Sequence, residues 1–243
     1  MPSAPFNAQS PDRASQERQS TSGSDRASPQ GGGSGLTVDG GLIVDGLSVH
    51  RGDRWVLRNL SFSVAASEAL VVRGPNGTGK STLLRTLAGL TPARAGSATF
   101  GGETLDPSHV HFVGHLNALK SAETVTANLT FWARWYETDT GESVDDALDS
   151  VGLLSLAELP AAVLSQGQQR RLALARLFLA PRPVWLLDEP TAGLDAASRE
   201  RLAKAVAHHR AGGGIVVAAT HEPLGIESPS VLELGGELGG RGR

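Results

Sequence analysis

Gly74-Pro75-Asn76-Gly77-Thr78-Gly79-Lys80-Ser81 fits the pattern GxxxxGK[ST], and its flanks leave little choice of architecture. A short apolar run, EALVVRG, precedes it, and an apolar periodic stretch, STLLRTLAGL, follows. The segment reads as strand, glycine-rich loop, helix. Glycines let the backbone turn successive N–H groups inward onto phosphate oxygens. The helix that follows adds the partial positive charge of its N-terminus. Lys80 supplies a point charge for the β- and γ-phosphates of a nucleotide, and the Ser81 hydroxyl is suited to ligate Mg2+. Thr82, the next residue, joins the same set of nucleotide contacts.

Strand and helix patterns alternate through the rest of the chain. LIVDGLSVH and WVLRNLSFSV alternate apolar and polar residues around a turn at RGDR (51–54), which predicts an antiparallel hairpin. Beyond the phosphate loop, VHFVG, VWLLD and GIVVAAT read as strands. TANLTFWARWY, SVDDALDSVGLL, QGQQRRLALARLFLA and AASRERLAKAVAHHR read as helices. That order predicts a mainly parallel α/β core with an antiparallel part in front and a helical insertion at about 115–168. The expected domain runs from 38 to 234. Residues 1–37, rich in Ser, Gln, Gly, Pro, Arg and Asp, read as a disordered tail, and 235–243 as a short flexible end.

The acids of VWLLDE complete a phosphate-handling site. An apolar strand that ends in Asp188 places a carboxylate at the carboxyl edge of a sheet, where ligands of α/β folds bind. Asp188 can hold Mg2+ through water. Glu189, one residue on, is in reach of the γ-phosphate side and suited to polarise an attacking water.

Leu164-Ser165-Gln166-Gly167-Gln168, just before a strong helix, resembles the LSGGQ signature of the ATP-binding subunits of ABC transporters, with Gln166 where that family usually has Gly. Ser165 and the Gly167 N–H at a helix start form a second anion site. Ala192-Gly193-Leu194-Asp195 looks like the family's D-loop, and Thr220-His221 looks like its switch histidine. The resemblance covers nearly everything from about residue 38 to 225. It implies a P-loop cassette with a RecA-like core, ATP and Mg2+ as ligands, Glu189 and His221 as catalytic residues, and Ser165, Gly167 and Gln168 as nucleotide contacts. It further implies a head-to-tail pair of cassettes, each signature closing on the partner's γ-phosphate. Where most members carry Gln after the strand entering the helical insertion, this chain has His115, which is placed with the nucleotide contacts because its ring can still bond a water on Mg2+. Where many stack adenine on an aromatic ring, it has His50 or Arg51, both with planar groups.

The stretch Phe112 to Lys120, a GHxxxLK segment followed by TVxxNLxFW, looks like the haem-exporter subunits of cytochrome c maturation. That likeness implies integral membrane partner subunits, haem-pathway proteins, and a peripheral place on the cytoplasmic face of a bacterial inner membrane. An ABC exporter of another cargo, such as a drug or lipid, is the alternative. Composition is compatible with both. Formal net charge is −3 with no long basic run, so a nucleic-acid partner is not indicated. With no cysteine, disulfides, thiolate metal sites and a cysteine nucleophile are excluded. No apolar stretch approaches the roughly 20 residues that span a bilayer. Phe131, Trp132, Trp135 and Tyr136 are placed on one helix face, either as core of the insertion or as part of a groove for a membrane subunit. His109, His111 and His115 are placed on one strand face, but on the cytosolic side of any transport path, so they are not read as a haem site.

Overall fold

The computed structural model describes residues 40–137 and 144–235, all within one compact unit, Leu36–Arg243. The tail 1–37 and nearly all of 235–243 lie outside the described residues.

Two sheets form the framework. The first is antiparallel, in the order β2-β1-β4-β5, with β1 Leu42–Arg51, β2 Arg54–Val64, β4 Ala95–Phe100 and β5 Glu103–Thr104. The hairpin turns at RGDR as the alternation predicts, with Arg51 opposite Arg54. The second sheet is parallel, in the order β6-β7-β8-β3-β9. Its strands are β3 Ala69–Arg73, β6 Val110–Val113, β7 Val184–Asp188, β8 Ile215–Ala219 and β9 Ser230–Glu233. VWLLD and IVVAA are buried at every position, as continuous apolar runs must be when both faces of a parallel sheet are covered.

Three apolar cores result among the described residues. One fills the space between the sheets and takes in Leu83, Leu84 and Leu87 of α1 Lys80–Leu87. A second packs the far face of the parallel sheet under α5 Ala196–Ala211. The third belongs to the helical insertion, where α2 Val125–Trp135 and α3 Val144–Ser150 meet α4 Gln166–Ala175, and it reaches Leu179.

Several elements differ from the sequence expectation. QGQQRRLALARLFLA is not one helix: α4 ends at Ala175 and a 3-10 turn continues through Arg176–Phe178. SVDDALDSVGLL yields only α3, because Gly152 takes a left-handed conformation (φ 66°) that breaks the helix. The aromatic cluster splits. Trp132 and Tyr136 pack against the insertion core, whereas Phe131 and Trp135 stay exposed, the latter at 69%. The three histidines are not one face either: His109 lies in a 3-10 turn, His111 is fully buried in β6, and His115 is exposed beyond the strand end.

Candidate nucleotide site

Parallel strands bring their carboxyl ends to one edge, and here that edge collects the chemistry. Taken across the sheet, β6 leads to His115, β7 ends in Asp188 before Glu189, β8 leads to Thr220 and His221, and β3 leads to the glycine loop. A cleft of about 550 Å3 opens there, lined by Asn76, Gly77, Gly79, Lys80, Ser81, Thr82, His115, Asp188 and Glu189 from these strand ends, and by Arg51, Arg54 and Val56 from the hairpin. Residues far apart in sequence thus line one opening.

The loop is held from below. Gly74 has φ 139°, and a Cβ there would fall 2.0 Å from the Leu234 carbonyl oxygen, so only glycine lets the loop pass the chain after β9. Gly79, with φ 105°, closes onto Val56 and Leu57. The Pro75 carbonyl accepts from Thr78 Oγ1 at 2.9 Å. Lys80 Nζ donates to the carbonyls of Gly74 at 2.6 Å and Pro75 at 3.1 Å, so the ammonium lies against the loop that would carry the phosphates.

The acids are presented differently from each other. Asp188 is buried at 3% exposure, and its Oδ2 has no hydrogen-bond partner. An unpartnered buried carboxylate oxygen is costly unless a cation or ordered water completes it. With the Ser81 hydroxyl on the same cleft, the donor set is all oxygen, which suits Mg2+. Glu189 takes φ 47°, a strained left-handed conformation for a non-glycine residue, while its N–H donates to the Ala219 carbonyl at 2.8 Å. Its Oε1 stands 3.7 Å from His221 Nε2. The loop carrying His221 is tied to α5 by Arg199 and Glu222, 3.1 Å apart.

The signature segment folds as a capped helix start. Ser165 Oγ accepts from the Gln168 N–H at 3.3 Å, and Gln168 Oε1 accepts from the Ser165 N–H at 2.8 Å, a reciprocal capping box. The Gln168 side chain therefore turns back on the cap. Gly167 lies against the D-loop, where a Cβ would come 2.8 Å from the Gly193 carbonyl. Neither Ser165, Gly167 nor Gln168 lines the cleft of its own chain.

Of the two residues expected to face the base, Arg51 lines the cleft and His50 does not. His50 packs edge-on against Trp55 at 4.8 Å instead.

Sequence reasoning passed over Arg170, on the third helical residue after Gly167. It is 3% exposed and donates to five oxygens around the acids and the His115 loop. Its signal was present: Arg170, Ala173, Leu174 and Leu177 fall at i, i+3, i+4 and i+7, so an arginine occupies the apolar stripe. Burial, ahead of repulsion from Arg176, lowers its pKa to about 10, and it stays charged near neutrality.

A profile of the ABC transporter family matches residues 57–192. "Cytochrome c biogenesis ATP-binding export protein CcmA" of Agrobacterium fabrum is 46% identical over 206 residues, covering 82% of this chain and 97% of that protein. The protein of the same name from Rhizobium meliloti is 48% identical over 202 residues, covering 80% and 98%. A solved ATP-binding subunit of an ABC transporter superposes with a TM-score of 0.71 at 23% identity, covering 79% of this chain and 85% of that one. No helix among the described residues is long and apolar enough to cross a membrane. With its phosphate loop, acidic pair and signature helix on one cassette fold, the chain belongs to the ABC transporter family as one of its ATP-binding subunits.

Proposed function

We propose that this chain hydrolyses ATP to power haem export, or release of a haem-loaded chaperone, in cytochrome c maturation. The observation that carries the catalytic part is Glu189, which lines the cleft with Lys80 and Ser81 and has His221 3.7 Å behind its carboxylate, outside the cleft lining. The cargo part rests on the 46–48% identity to export proteins of cytochrome c biogenesis.

In this reading the backbone N–H groups of 76–80 and the Lys80 ammonium hold the triphosphate, and the Arg51 guanidinium stacks on the base. Ser81, and Asp188 through water, would hold Mg2+, and the ion would supply charge neutralisation at the phosphate oxygens. Glu189 accepts a proton from the attacking water, and His221 orients that water and the γ-phosphate. Two copies pair head to tail, so that Ser165 and the Gly167 N–H of one close on the nucleotide of the other. Loss of phosphate removes the bridge and reopens the pair. Integral membrane subunits receive that motion through the helical insertion, where Phe131 and Trp135 are exposed, and hold the chain at the cytoplasmic face of the inner membrane.

The test is replacement of the chain in its host by Glu189→Gln, with covalently bound c-type haem quantified by membrane absorbance. Loss of c-type cytochromes while b-type haem persists supports the proposal. Unchanged c-type cytochromes would assign this ATPase to another transporter.

A further inference from the structure

We propose that Arg170 is the positioning residue that sets Glu189 and His115 together against the nucleotide, and that it links them to the signature helix. The inference rests on the ATPase reading above and goes beyond it by naming what holds the catalytic groups in place.

A guanidinium has five N–H donors in a rigid fork. All five are used here. Nε donates to the Pro190 carbonyl at 3.3 Å. Nη2 donates to the carbonyls of Asp188 at 2.7 Å and Glu189 at 2.9 Å. Nη1 donates to the Gly114 carbonyl at 2.8 Å and to Asn117 Oδ1 at 3.1 Å. Three consecutive carbonyls, 188 to 190, converge on one cation. An extended strand points successive carbonyls to opposite sides, so this convergence requires the chain to reverse. The reversal occurs at Glu189, the residue with φ 47°. The strained conformation that aims the Glu189 carboxylate is thus the one Arg170 stabilises.

The same fork holds the other side of the cleft. Gly114 immediately precedes His115, and Asn117 lies two residues after it, so His115 is clamped on both flanks. Arg176, one turn and a half further along, donates to the Asn117 carbonyl and repeats the hold on this loop. Arg170 itself stands on α4, whose first turn is the capped Ser165 segment. In a head-to-tail pair, movement of that segment on the partner's nucleotide would be carried to Glu189 by one buried side chain. Lysine cannot substitute, because a single ammonium with three donors cannot span five oxygens in two loops.

The experiment compares the full-length chain with Arg170→Lys and Arg170→Gln, measuring thermal unfolding, binding of a fluorescent ATP analogue, and the ATPase kcat. Nucleotide affinity is expected to stay within about twofold, while kcat falls about 100-fold in both variants, as for a catalytic group displaced by about 1 Å. In a Glu189→Gln background, Arg170→Lys is expected to cause much less than its full loss of about 100-fold, because most of its effect passes through Glu189 and only the hold on His115 is left to lose. A folded Arg170→Lys chain with wild-type kcat, or a loss that multiplies fully with Glu189→Gln, overturns the proposal. Should neither Arg170 variant fold, Asn117→Ala removes one partner of the fork at a half-buried position. A drop in kcat with unchanged affinity then supports the role, and an unchanged kcat refutes it. Absence of ATP binding or hydrolysis in the unaltered chain would strike the ATPase reading itself.

Discussion

Asp188 and Glu189 are chemical neighbours with opposite environments. Burial leaves Asp188 with an oxygen that nothing in the chain satisfies, and left-handed backbone turns Glu189 into the cleft beside His221. The first is suited to a cation and the second to a proton. Glu189→Gln keeps size and shape but removes the basic oxygen. ATP binding is expected to persist, while purified protein loses hydrolysis by about 10²- to 10⁴-fold, the range for a general base. Phosphate release alongside analogue binding measures both, and full hydrolysis by this variant would remove Glu189 from the mechanism. Lys80, Asp188 and His221 were legible in the sequence because each sits at a fixed distance from a strand end. Arg170 was not, because its partners are backbone carbonyls, and a carbonyl leaves no residue type to recognise.

At the scale of elements, the signature helix depends on its cap. Ser165→Ala leaves the Gln168 N–H unpaired at the start of α4, which costs about 1 kcal/mol and lowers the melting temperature by about 2–4 °C. An unchanged melting temperature would show that the cap adds nothing here. Strand β6 carries a different liability. His111 is fully buried, its Nε2 donates to the Ala180 carbonyl at 2.8 Å, and its Nδ1 has no partner. Burial lowers its pKa to about 3, against an ordinary value of 6.5. The unfolded chain therefore takes up this proton first. The contribution of His111 is constant above pH about 6.5 and falls as the pH drops, by about 1.4 kcal/mol per unit, until the folded value is reached. By pH 4.5 the loss is about 2–3 kcal/mol. His111→Phe keeps an aromatic edge for Tyr136 and cannot be protonated. Denaturant unfolding between pH 6.5 and 4.5 should lose about one proton of pH dependence in that variant, and parallel slopes would disprove the assignment. The buried runs β3, β7 and β8 were readable because their apolar residues are continuous. AGSATF and SVLE, now β4 and β9, were not, since each has mixed polarity and is a strand only through its pairing with β1 or β3. Likewise α4 and the following 3-10 turn share one apolar pattern, and only the Arg176 contacts to the carbonyls of Ala173 and Asn117 mark the change.

For the whole molecule, the geometry separates two anion sites that one nucleotide would need to share. The cleft of this chain contains the phosphate loop, the acids and His115, but none of Ser165, Gly167 and Gln168. Gly167 instead abuts the D-loop at Gly193, so signature and D-loop form one surface. Both groups of residues act on one ATP only if a second copy supplies the signature. In the proposed pair hydrolysis breaks that bridge, so a chain that binds ATP but cannot hydrolyse it should accumulate as the closed pair. Glu189→Gln with Mg·ATP is expected to sediment at twice the 25.2 kDa chain mass, and to return to one copy when ATP is removed. Adding Lys80→Ala should abolish pairing by removing the ammonium proposed to hold the β- and γ-phosphates. Adding Gly167→Ala should weaken it without weakening nucleotide binding, because the new Cβ meets a backbone carbonyl that cannot swing aside. The two additions fail at different steps, the first at capture of the nucleotide and the second at closure over it. If Glu189→Gln remains a monomer at saturating ATP while binding it fully, each cassette completes its own site and the head-to-tail pair is wrong.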